Sequence, residues 1–204
     1  MDRPLRHRLS TSHRRSAGGL QPRLLLVAGS AAGLIAVALG LQQLLTPRHP
    51  AAAALSGPPQ VLPITAELCI APPDGAPAAA AGGDPAGTVC FAVEQPRTPQ
   101  QYAWGLQQRP ELPRRRGMWF AYNPPAPAWF WMHRTLHPLD LIFVSDGRVL
   151  KIERAVPTCS RLPCPVYGTS VPLDGVLEIR AGDADALGLR IGGRISLRPL
   201  PASR

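Results

Sequence analysis

LIFVSDGRVLKIER, residues 141–154, decides the reading of the fold. Two runs rich in branched apolar residues, 141–144 and 149–152, flank Ser145-Asp146-Gly147-Arg148. Asp and Gly both accept positive φ, the geometry that a tight two-residue hairpin turn requires. The segment therefore predicts an antiparallel β-hairpin.

Working outward, the same grammar repeats. Short runs with branched or aromatic residues are cut by Pro, Gly and Asp, which predicts strands over 64–70, 89–94, 118–122, 129–132, 141–145, 149–154, 176–180 and 194–198. The chain carries 25 prolines in 204 residues, and proline removes a helix hydrogen bond and clashes with the preceding turn, so long helices are disfavoured here. Two short helices fit between the strands. Thr98 caps the first, Pro99 takes its first position and Gln101 completes a capping box, presenting Tyr102 and Leu106 to the core. The second runs over 183–187, acidic at its positive end and stopped by Gly188. Residues 71–88, APPDGAPAAAAGGDPAGT, are low in complexity and read as a floppy hairpin tip. Eight strands and two helical turns make the fold class mainly β, a compact β-sandwich or a partly closed barrel.

Ahead of the strands, residues 24–45 are 22 positions without formal charge, enough for a helix of roughly 33 Å against a hydrocarbon layer of roughly 30 Å. The first 23 residues hold six arginines and one aspartate, five of the nine net positive charges. Such an excess stays on the cytoplasmic side of a span. The expected organisation is a basic cytoplasmic head (1–23), a transmembrane helix or uncleaved signal anchor (24–45), a Pro/Ala-rich stalk (46–59) and one β-rich domain (60–199). The chain would then sit once through the cell inner membrane with its domain extracytoplasmic. Alanines at 51–54 also fit a signal-peptidase site, so a secreted or periplasmic domain cut near Ala53 is the alternative. An apolar run longer than the usual ~7–15 residues favours retention. Arg114-Arg115-Arg116 reads as solvated loop, so the membrane and not nucleic acid is the expected partner of the positive charge.

All four cysteines, Cys69, Cys90, Cys159 and Cys164, fall in the exported part, where thiols oxidise. Of the three possible pairings, local structure favours Cys159 with Cys164 and Cys69 with Cys90, closures worth about 2 and 3 kcal/mol by loop entropy. A catalytic redox pair usually has two intervening residues; here Ser160, Arg161, Leu162 and Pro163 intervene.

Several segments resemble the domain of unknown function 192 family, a bacterial and archaeal group often found behind signal peptides or anchors. The most specific is FWMHRTLHPLDLIFVSDGRVLKIERAVPTCSRLPCPVYG, residues 130–168, which resembles the family's aromatic-Trp-Met run, Pro-Leu-Asp step, hairpin and Cys-x4-Cys-Pro segment. Around it lie Gly105-Leu106 with Arg109, Gly117-Met118-Trp119-Phe120, Val176-Leu177-Glu178, and Leu187-Gly188-Leu189 with Gly192, so the similarity spans roughly 88–198. The resemblance implies a compact, mainly β domain of jelly-roll-like character. It implies no reaction, since the family has no established activity. This chain departs from the family at His133-Arg134, usually Lys-Asn, at Gln107, usually Met, and at Gly192-Gly193, usually a Gly-Asp turn.

The candidate ligand-binding residues are Trp131, Met132, His133, Arg134 and Asp140, joined by Arg109 and Glu178 from neighbouring segments. An aromatic wall with a few polar groups suits a ligand. On a strand, Trp131 and His133 share one face, Met132 and Arg134 the other. The competing reading has Trp131 and Met132 filling the core, and Asp140 pairing with an arginine or capping the turn after Pro138. No metal is expected, because His133 and His137 stand roughly 13 Å apart on an extended chain, too far for one ion. No cofactor is expected either: Gly182, Gly188, Gly192 and Gly193 form no phosphate-cradling pattern, and no serine has a Gly-x-Ser-x-Gly setting.

Catalytic residues are thus unknown. The leading expectation is a membrane-anchored extracytoplasmic module that binds a protein or small-molecule ligand. One alternative is an envelope enzyme of hydrolase or transferase type, with Asp140 or Glu178 as acid–base group and Arg109 or Arg134 holding an anionic substrate. The other is a purely structural envelope protein.

Overall fold

Strands β1 (Ile64–Ala71) and β2 (Val89–Glu94) pair antiparallel with Cys69 opposite Cys90, and the two sulfurs are bonded. The computed structural model describes residues 57–76 and 83–201, all within one compact unit, Ala52–Arg204. The expected head, membrane helix and most of the stalk lie outside those residues, as does the centre of the 71–88 insertion. No helix among the described residues is long and apolar enough to cross a membrane.

From β2 the chain passes through helix α1 (Pro99–Trp104) to β3 (Arg116–Trp131), which runs parallel to β2. Then follow β4 (Leu139–Ser145), β5 (Arg148–Val156), β6 (Val166–Arg180), helix α2 (Asp183–Ala186) and β7 (Arg194–Pro199). The spatial order is β1-β2-β3-β6-β4-β5-β7, and β7 returns to β1, so the sheet is ring-like. Its thinnest joint is Arg148 opposite Arg194. Like charges facing across a ladder repel, and here Asp74 meets both guanidiniums.

Strand alternation sorts the side chains into two cores. Ile142 and Val144 of β4, and Leu177 and Ile179 of β6, join a cluster to which all seven strands contribute, with Leu68, Phe91, Trp119, Val149 and Ile195 among its members. The alternate residues, Leu141 and Phe143 of β4 and Leu173 and Val176 of β6, join Met118 and Phe120 in a second cluster under Leu106 and Leu112. Three central strands are therefore apolar on both faces, which is why residues 139–144 are buried without a break.

Among the described residues seven strands stand where eight were expected. The predicted strands 118–122 and 129–132 are one strand, β3, whose ladder to β6 shifts register between Ala121 and Ala126. The shift sets Pro124 and Pro125, which cannot donate to a ladder, outside the pairing. β6 starts at Val166, ten residues before the expected 176; Gly168, Pro172, Asp174 and Gly175 give that stretch the look of a turn. Residues 126–131 and 166–173 form a two-stranded arm that folds over the second cluster, with the Phe130 ring 5.1 Å from Phe120 and 6.3 Å from Phe143, both edge to face. At the base of the arm a Cβ on Gly175 would stand 2.4 Å from the Trp119 ring and 2.6 Å from the Phe120 carbonyl oxygen, so only glycine lets β6 pass.

The local motifs form as expected. Asp146 (φ 51°) and Gly147 (φ 67°) make the tight turn between Ser145 and Arg148. At α1 the Gln101 N–H donates to Thr98 Oγ1 and the Thr98 N–H donates to Gln101 Oε1, each at 3.2 Å. Thr98→Ala should therefore cost about 1 kcal/mol in urea unfolding. Helix α2 ends at Ala186, one residue earlier than expected, and Gly188 takes the left-handed stop at φ 66°.

Candidate functional site

Beyond Trp131 the chain leaves the arm and locks against the Cys159–Cys164 loop. The Met132 carbonyl accepts from Cys159 N–H at 3.1 Å and from Thr135 N–H at 3.2 Å, and the Arg134 N–H donates to the Cys159 carbonyl at 3.0 Å. These bonds hold His133 beside Cys159, and the Cys159–Cys164 disulfide closes the loop behind it. Met132 turns inward to the second cluster. Trp131 and His133 stay half-buried, ring centroids 5.4 Å apart. Trp129 shares a strand face with Trp131 and is 52% exposed; Val166, opposite Trp131, is 63% exposed. Gly168 lies opposite Trp129, where a Cβ would come within 2.7 Å of the indole Cδ1. The outer face of the arm is an aromatic and apolar surface.

Arg134 and Gln108 both have left-handed backbone, φ 60° and φ 59°, and the Gln108 N–H donates to the Arg134 carbonyl at 2.9 Å. Their side chains face each other as well. Two non-glycine residues in this region store backbone strain at one point. Asparagine, the usual residue of the resembled family in place of Arg134, tolerates such a φ better.

β4 sends Asp140 to the first core, fully buried. Its Oδ1 accepts from the Ala155 N–H at 2.7 Å and its Oδ2 from the Ala184 N–H at 2.9 Å. Ala155 (φ 46°) sits in a bulge of β5, since Leu139 faces Val156 while Leu141 faces Glu153. Ala184 lies in the first turn of α2, where backbone N–H groups lack intrahelical partners. One carboxylate thus ties a strand bulge to a helix start. It takes these two amides instead of the expected arginine or the turn after Pro138.

Glu178, on β6, faces the second core opposite Met118 and Leu141 and is 5% exposed. Burial raises its pKa to about 8, so it is protonated at neutral pH. Nearby, burial also raises Tyr122, with smaller contributions from Tyr102 and Glu178. Tyr102 is raised by burial too, and its hydroxyl donates to the Ala121 carbonyl.

Arg109 follows α1 and donates through Nη1 to both oxygens of buried Glu94, at 2.8 and 2.9 Å. Glu94 Oε2 also accepts from the Leu62 N–H at 2.8 Å. The seven candidate residues therefore occupy four neighbourhoods: the arm tip, the Asp140 tie, the face around Glu178, and the Arg109 ion pair. Among the described residues, Glu67, Cys69 and Cys90 bring possible metal-donor atoms within 4.8 Å of one another. Those two sulfurs are bonded to each other and Glu67 pairs with Arg198.

Comparison with known proteins matches residues 83–197 to the model of DUF192, described as Uncharacterized ACR. The chain belongs to the DUF192 family. A protein of unknown function from Novosphingobium aromaticivorans DSM 12444 is 32% identical, over 72% of this chain and 96% of its own, with a TM-score of 0.55. A protein from Sinorhizobium meliloti 1021, described as a candidate transcription regulator, is 25% identical over 67% of this chain and 96% of its own, also with a TM-score of 0.55. A search of curated proteins found no significant match.

Three residues of this DUF192 domain escaped the sequence reading. Trp129 was within reach, because alternation sets it on the Trp131 face. Glu94 closes a run in which Val89, Phe91 and Val93 point inward, so alternation alone sends it to solvent; only the position of Arg109 explains its burial. Gln108 carries no signal in sequence.

Proposed function

We propose that this DUF192 domain is an extracytoplasmic binding module, tethered to the inner membrane by residues 24–45, that meets its partner with the outer face of the β3–β6 arm. Two disulfides suit an oxidising compartment. The observation that carries the reading is the surface of Trp129, Trp131 and Val166. Single exposed apolar residues are ordinary, but grouped ones mark contact surfaces, and tryptophan is enriched at binding hot spots. The reverse side of the arm packs Phe130 and Tyr167 on the second core, so the face is held firmly.

The partner is a protein or small molecule. Nucleic acid asks for a basic face to neutralise phosphates, whereas the arm presents the apolar surfaces of Trp129, Trp131 and Val166.

Hydrogen exchange on the full-length protein in detergent tests this. Adding solubilised envelope fractions should protect residues 129–133 and 159–168. The double variant Trp129→Ser, Trp131→Ser should need about tenfold more extract for the same protection. Equal protection of wild type and double variant would remove the arm from the binding surface.

A further inference from the structure

Two loops at the end of the arm are locked side by side. Residues 132–138 follow β3 and residues 157–165 precede β6. The Cys159 N–H donates to the Met132 carbonyl and the Cys159 carbonyl accepts from the Arg134 N–H, while the Cys159–Cys164 disulfide closes the second loop. Each loop offers a leucine to solvent, Leu136 at 57% exposed and Leu162 at 55%. Exposed prolines stand close to both, at 138, 163 and 165. Proline has no N–H, so these loops give up fewer backbone bonds to water on entering an apolar layer.

Charge at this end has one sign. Residues 121–139 and 155–173 include Arg134 and Arg161 but no Asp or Glu, and Arg161 is exposed. The carboxylate of Glu111, which shares a cleft with Thr135 and His137, already meets Arg180. Apolar side chains beside an exposed cation suit the boundary of an anionic bilayer.

The chain also enters the domain on this side. Gln60 Nε2 donates to the Gln101 and Gly105 carbonyls, at 2.9 and 3.0 Å, and Gln108, three residues beyond Gly105, bonds through its N–H to the Arg134 carbonyl. Only residues 46–56 lie between the apolar stretch and Gly57, a reach of no more than about 40 Å when fully extended.

We infer that the end of the arm rests on the bilayer surface, with Leu136 and Leu162 at the boundary between headgroups and acyl chains and Arg161 on an anionic headgroup. This contact depends on residues 24–45 being the tether proposed above, and it leaves Trp129, Trp131 and Val166 to the partner.

Hydrogen exchange on the full-length protein in lipid nanodiscs, with no envelope extract present, tests it. In discs of equal parts phosphatidylcholine and phosphatidylglycerol, the amides of Leu136, His137, Arg161 and Leu162 should exchange about fivefold more slowly than in the double variant Leu136→Ser, Leu162→Ser. Strand amides should exchange alike in both proteins, because exposed substitutions of this kind leave the fold in place. Discs of phosphatidylcholine alone should slow the wild-type loops about threefold less, and Arg161→Gln should remove that difference. Equal exchange of wild type and double variant in the mixed discs would overturn the contact, and equal slowing in both kinds of disc would overturn its anionic character. Protein that elutes apart from the discs would sink the tether and the contact together, whereas protein held in the discs with unslowed loops would sink the contact alone.

Discussion

Asp140→Ala is expected to destabilise the domain by about 3–5 kcal/mol, since two buried N–H groups lose a charged acceptor and each unmet donor costs about 1–3 kcal/mol. Asp140 has no exposed surface, so bulk solvent does not reach the two amides in the folded protein. Asp140→Asn keeps the volume but offers one acceptor where two are needed, and should cost about 2–3 kcal/mol. Urea unfolding followed by tryptophan fluorescence gives the totals. Amide exchange gives the place: the Ala155 and Ala184 N–H groups should lose protection first, because Asp140 holds both. A variant within about 1 kcal/mol of wild type, inside the ordinary range of surface substitutions, would show that the bulge and α2 keep their places without this tie.

Glu178→Gln should give the other large effect, with a sign set by pH. Burial raises the folded pKa to about 8 from an ordinary 4.5. The folded state therefore keeps a proton that the unfolded chain releases above pH 4.5. Between those two values the folded state binds more protons, so stability falls as pH rises, by about 1.4 kcal/mol per unit. The contribution is most favourable below 4.5 and levels off above about 8. A neutral amide of the same shape has no proton to hold. Subtracting the wild-type curve from that of Glu178→Gln should leave a gain that grows through this window, reaching about 3 kcal/mol near pH 7. A flat difference curve would mean that burial does not act on this carboxyl group.

The β character, the Asp-Gly turn, the Thr98 capping box and both disulfides were legible because each rests on residues close in sequence or on strands already recognised. Turn chemistry works within four residues, and Cys69 faces Cys90 once the flanking strands pair. The arm was not legible. Its β6 half carries a glycine and a proline of the kind that usually mark a turn, and only pairing with residues 126–131 makes it extended. The candidate residues followed the same rule. Met132 turned to the core as strand alternation allows, and Trp131 met His133. The partners of Asp140 are two backbone amides that carry no side-chain signature at all. Glu94 and Arg109 meet across the crossover between β2 and β3, where no period in the sequence relates them.

Ring closure has a bearing on how the chain matures. The last strand, β7, supplies one neighbour of the first, with Ala66 opposite Pro199. Until residues 194–199 arrive, β1 keeps a free edge able to pair with strangers, and contacts this distant along the chain form late. Closure of the ring therefore waits for residues 194–199, in whatever order the other described strands pair.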